Sequence, residues 1–263
     1  MLREKFFSPF VQKELQTEWR GREISRIEGF SDAVFGFAVT LLVVALEVPR
    51  TSGELLETMR GFGSFLITFG ILFSIWYRQF IFFRRYGLED RTTVVLNGIL
   101  IVVVLFFVYP LKFIISALLG RLEGGSKSAM LADGRVVPII DPGHRPYLFA
   151  IYGFGLAAVF LVFALLYRHA YRNRDVLKLT DVEAYDTRDS FSGTVWVAVM
   201  GVIIGLASLA TLLSFFNGDA GQLLIAAVEI VAVVRLFRLR TTRKKRREKF
   251  LAQLSAATAD VAL

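Results

Sequence analysis

The chain contains no cysteine among its 263 residues, which excludes a disulfide, a thiolate nucleophile and a cysteine-ligated metal. Histidine is almost as scarce: His144 and His169 are too few for a metal cluster. A phosphate-binding glycine loop, a His-Glu-x-x-His pair and a Gly-x-Ser-x-Gly elbow are all missing, so no enzyme and no cofactor are expected. The first 25 residues carry mixed charge without an apolar stretch or a small-residue cleavage site, and do not read as a secretory signal peptide. Segments of about ten residues alternating in polarity are also lacking, which argues against a membrane β-barrel.

What is present is apolar length. Hydrophobic residues make up 55% of the chain, with 25 Phe, and the mean hydropathy is +0.55. A helix crossing the hydrocarbon core needs about 20 mostly apolar residues. Six stretches reach that length, at 27–48, 61–83, 92–118, 147–167, 192–216 and 220–237. The predicted fold class is therefore an all-α integral membrane protein with six transmembrane helices.

Basic residues orient these spans, because cytoplasmic connections are enriched in Lys and Arg. Lys13, Arg20, Arg22 and Arg26 precede the first span, and Arg84, Arg85 and Arg91 fill the second connection. Arg168, Arg172, Arg174, Lys178 and Arg188 lie in the fourth connection, and Arg240 with residues 243–247 follows the sixth span. All fall on one side if there are six spans, which places both termini in the cytoplasm. The expected organisation is a cytoplasmic segment 1–25, a transmembrane domain 26–240 and a basic cytoplasmic tail 241–263. The outer connection 120–146, rich in Gly and Pro, reads as an irregular loop with a turn at Asp133 and Gly134. The net charge of +8 sits beside apolar segments, so a membrane explains it better than nucleic acid does. The basic tail either binds anionic lipid or is solvated charge that anchors the last helix.

One span begins unusually. Arg26, Glu28, Phe30, Ser31 and Asp32 open the first apolar stretch, which then runs through Phe35, Phe37, Thr40, Leu41, Leu42, Val43 and Val44. The Arg26 to Asp32 pattern, followed by the Thr40-Leu41-Leu42 core, resembles the first helix of the transmembrane protein 175 potassium channel family. Trp76 in the second span, Asn97 early in the third and Tyr109-Pro110 late in the third are similar landmarks, so the likeness covers roughly the first 120 residues. Gln79 and Phe80 stand where the resemblance leads one to expect a histidine.

The resemblance implies six helices per repeat, with bacterial members assembling as homotetramers around their first helices in the cell membrane, here the bacterial inner membrane. It also implies passive conduction of K+ as the permeant ion without the usual selectivity loop, and no Thr-Val-Gly-Tyr-Gly sequence occurs in the chain. Helical geometry places Phe37, Thr40, Leu41 and Val44 on one stripe, extended by Ala33 and Val34, with Asp32 well off it. By the resemblance, Phe37 corresponds to a hydrophobic constriction, with Leu41 and Val44 as further apolar layers. Taken as periodicity alone, the same stripe is equally the packing or lipid face of any apolar helix. Arg26, Phe30, Ser31 and Asp32 read as structural support for the pore, with Ser31 and Asp32 bonding to Arg26, Trp76 or Asn97; direct cation coordination by Asp32 is the alternative.

Glu229 lies near the middle of the sixth span, where an ionisable group is a candidate proton or ion site. It is otherwise protonated or paired, for example with Arg78. A proton-coupled secondary transporter using Glu229, with Gly201, Gly205, Ala207 and Ser208 as a seam that lets helices move, is the alternative function. Lys112 and Glu47 fall near the outer ends of their spans, within reach of the interface.

Overall fold

The computed structural model describes residues 19–21, 23–44, 51–122, 128–130 and 134–211. The chain divides into two compact units, Met1–Pro142 and Gly143–Leu263. The sixth predicted span, Glu229 within it, the basic tail and most of the N-terminal segment lie outside the described residues.

In the first unit, α1 (Arg26–Val44) is followed by α2 (Ser52–Arg60), α3 (Phe62–Tyr86), α4 (Arg91–Leu122), β1 (Ser128–Met130) and β2 (Val136–Pro138). A capping box starts α1: the Glu28 N–H donates to Ser25 Oγ at 3.2 Å, and the Ser25 N–H donates to Glu28 Oε2 at 3.0 Å. The 19 residues of α1 extend about 28 Å, close to the thickness of a hydrocarbon core. Gly87 ends α3 in the left-handed region at φ 59°, its N–H donating to the Phe83 carbonyl at 2.8 Å. Asp90 begins α4 by accepting from the Thr92 N–H at 3.1 Å and the Thr93 hydroxyl at 2.6 Å.

Helices α1, α3 and α4 pack on one another. Phe35, Ala38 and Leu42 from α1, Leu72 and Phe82 from α3, and Leu100 and Val104 from α4 are buried. Ser116 of α4 donates to Ser64 of α3 at 3.1 Å. Rings spaced three and four residues apart stack along α3 through Phe62, Phe65, Phe69, Phe73, Trp76 and Phe80.

The connection that follows α4 is more regular than the sequence suggests. Within it β1 and β2 pair antiparallel, with Ser128 opposite Pro138 and Met130 opposite Val136. Gly134 sits at φ 82°, a conformation open to glycine, and the β-branched pair Val136 and Val137 favours the extended chain that follows.

The second unit is a helical hairpin of α5 (Arg145–Arg172) and α6 (Asp181–Ala210). Thr180 and Glu183 form a capping box, which starts α6 well before the expected residue 192. The two helices meet through glycine. A Cβ on Gly153 would lie 2.7 Å from the Gly201 carbonyl oxygen, and one on Gly201 would lie 2.7 Å from the Ala157 nitrogen. Gly205 would likewise place a Cβ 2.9 Å from the Phe154 ring. This is the small-residue seam by which helices approach closely in lipid.

Among the described residues, four helices are long and apolar enough to cross a membrane: α3, α4 over Arg91–Gly120, α5 and α6. They match the second to fifth predicted spans, and α1 occupies most of the first.

Candidate functional site

Helix α1 has two unlike faces. Glu28, Ser31, Phe35, Ala38 and Leu42, three or four residues apart, are buried against α3 and α4. Phe30, Ala33, Phe37, Thr40 and Leu41 lie on the opposite side and are exposed, Phe37 to 61% and Leu41 to 48%. Thr40 Oγ1 donates to its own helix, to the Phe37 carbonyl at 2.7 Å. The Val44 side chain lies outside the described residues, although its backbone completes α1.

The buried face is held by polar side chains from two other helices. Asn97 of α4 donates its amide to Ser31 Oγ at 2.8 Å, and Ser31 donates to the Ile27 carbonyl at 2.8 Å. Gln79 of α3 donates to the Asn97 amide oxygen. Ser31, Gln79 and Asn97 are at most 2% exposed. Such an amide would cost about 1–3 kcal/mol if left unpaired, so each member of the relay depends on the others being in place. Beside it, Trp76 Nε1 donates to Asp32 Oδ1 at 2.7 Å. The structure thus brings Ser31, Asp32, Trp76 and Asn97 together. Among the described residues Arg26 bonds to neither Ser31 nor Asp32, and Phe30 projects from the exposed face.

Three contributors escaped the sequence reading. Gln79, noted only as standing where a histidine was expected, completes the relay. Glu28, 7% exposed, caps α1 and faces Arg84 of α3 at 3.8 Å; the Ser25-x-x-Glu28 spacing before an apolar run is the signal that marks it. Lys112, expected to reach the interface, instead donates Nζ to the Leu42 carbonyl at 2.9 Å.

The small residues read as a seam that lets helices move lie partly against a neighbouring helix. Gly201 and Gly205 lie against α5, and Ser208 is buried, its hydroxyl donating to the Ile204 carbonyl at 2.7 Å. Among the described residues there is no cluster of His, Asp and Glu able to hold a metal ion.

These features define a multi-pass helical membrane protein whose first helix is pinned through one face and bare on the other. A profile described as the endosomal/lysosomal potassium channel TMEM175 matches residues 26–108. The chain is 39% identical over 186 residues to a potassium channel of Marivirga tractuosa, covering 71% of this chain and 75% of that one. Identity to a potassium channel of Chamaesiphon minutus is 29% over 156 residues, covering 56% of this chain and 66% of the relative. Among solved structures, the potassium channel MtTMEM175, as a threonine-to-alanine variant bound to a nanobody fusion, superposes with a TM-score of 0.73 at 32% identity. That match covers 87% of this chain and 97% of the other. The chain belongs to the TMEM175 family, a family of ion channels and not of enzymes.

Proposed function

We propose that the chain is one subunit of a potassium-selective channel that conducts K+ passively through a central pore. Four copies arrange their α1 helices around the axis, and Phe37, Thr40, Leu41 and Val44 form the constriction. The observation that carries this reading is the bare apolar stripe on a helix whose opposite face is fixed by polar bonds. One row of side chains encloses nothing alone, so a lined pore requires symmetry-related copies. An apolar ring narrows the pore and disfavours water, and potassium sheds its hydration more readily than sodium. The names of the relatives, each a potassium channel, support the same ion.

The complete subunit has six spans with both termini cytoplasmic in the bacterial inner membrane, divided as 1–25, 26–240 and 241–263, and its basic tail faces anionic lipid. Gathering of Arg84 near the start of α1 supports a common side for the N-terminal segment and the second connection.

The test is flux from potassium-loaded liposomes into sodium, with a proton ionophore to remove electrical back-pressure. Passive, potassium-selective efflux that changes when Phe37 or Leu41 is replaced by Ala is the expected result. Absence of efflux across a range of voltage and pH, or selectivity indifferent to Phe37, Leu41 and Val44, would remove the reading.

A further inference from the structure

Residues 19–21 run against the end of α3. The Gly21 N–H donates to the Arg84 carbonyl at 3.1 Å, and Arg84 Nη1 donates back to the Gly21 carbonyl at 2.8 Å. The same guanidinium lies 5.5 Å over the Phe80 ring, and Phe80 receives Trp19 edge-on at 6.3 Å. Its Nε faces Glu28 Oε1 at 3.8 Å, while Glu28 Oε2 accepts the Ser25 N–H that begins α1. One carboxylate therefore caps α1 and holds α3.

The approach requires glycine on both sides. A Cβ on Gly21 would stand 2.7 Å from the Phe83 carbonyl oxygen. Gly87, at φ 59°, would place a Cβ 3.1 Å from the Gly21 nitrogen. Only four residues separate Gly21 from Arg26, so a displacement at Gly21 has little slack before it reaches α1.

We infer that residues 19–21, Glu28 and the Arg84 end of α3 form a latch that sets the position of α1, with Arg84 as its positioning residue. Arg84 acts through the helix start, by its contacts with Gly21 and Glu28. In a channel this makes the segment before the first helix a handle on the constriction; that consequence rests on the function proposed above.

The native absence of cysteine gives a clean background for the test. Ala33→Cys places a thiol on the exposed face of α1, and its rate of modification by a methanethiosulfonate reagent reports the position of the helix. Gly21→Ala forces the latch apart without altering charge, and Arg84→Gln removes the cation. Each is expected to change both potassium efflux and the thiol rate by at least about fivefold, the lower end of the coupling between linked sites. The ratio of potassium to sodium flux stays at its original value, because the stripe is unchanged. Arg84→Lys keeps the charge but not the planar fork, and falls between the two.

Wild-type efflux and thiol rate in both Gly21→Ala and Arg84→Gln would overturn the latch. So would altered selectivity with an unchanged thiol rate. If Arg84→Gln does not reach the membrane, Gly21→Ala decides alone. If the unsubstituted protein passes no potassium, the channel reading fails by itself, and the thiol rate judges the latch: a change supports it, constancy overturns it.

Discussion

The two compact units solve the same problem by opposite means. In Met1–Pro142 the helices are joined by side chains that reach across, namely Asn97 to Ser31, Trp76 to Asp32, Gln79 to Asn97 and Lys112 to the Leu42 carbonyl. In Gly143–Leu263 side chains are removed, so that α5 and α6 meet backbone to backbone at Gly153, Gly201 and Gly205. Lipid offers little hydrophobic drive between helices, which leaves polar bonds and close packing as the remaining sources of attraction. Polar bonds have direction and a limited number of partners, so they fix the rotation of a helix as well as its neighbour. Rotation is what α1 needs if one particular row is to remain bare.

Substitutions that interchange the two strategies test this contrast. The largest effect is expected from Gly201→Leu, which drives a side chain into the Gly153 carbonyl and Ala157 and costs about 3 kcal/mol, read as a lowered unfolding midpoint in detergent. Next, Asn97→Leu strands the buried Gln79 amide and costs about 2 kcal/mol. The double variant Gln79→Leu with Asn97→Leu should be more stable than Asn97→Leu alone, because neither partner is then left unpaired; a double variant weaker than the single would show that the relay contributes packing alone. Lys112→Met should cost about 1 kcal/mol, because the hydrogen bond from Nζ to the Leu42 carbonyl is lost. Smallest is Leu41→Ala, within about 0.5 kcal/mol in stability because the side chain is unpacked in the single chain, yet with altered potassium efflux. A large stability loss there, with unchanged efflux, would make the stripe a packing surface.

Much of this was legible in the chain because lipid imposes length. The spans at 61–83, 92–118 and 147–167 needed only apolar run length, and their helices lie where expected. The 192–216 span was placed too late because the first turns of α6 are polar and are fixed by the Thr180–Glu183 box, which hydropathy does not register. Ser31, Asp32, Trp76 and Asn97 stood out as polar or amphipathic residues in apolar surroundings, and they meet. Glu28 and Lys112 did not stand out, since a charge near a span end is ordinarily solvated; what decides their role is a partner on a second helix. Gln79 was legible only as a departure, because an amide partner cannot be read from one strand of a relay. The hairpin in the connection that follows α4 was obscured by the density of Gly and Pro around it.

The bonds that hold α1 also impose an order on how the protein is made. Asp32 waits 44 residues for Trp76, and Ser31 waits 66 for Asn97. In chain order α1 precedes the helices that carry Trp76 and Asn97, so Asp32 and Ser31 are made before these partners. Glu28 and Asp32 in its opening turns make it a reluctant entrant to the bilayer, where an Asp is disfavoured by as much as about 3 kcal/mol at mid-depth and less near the ends. The bonds that hold α1 are therefore complete only once the chain has been made past Asn97.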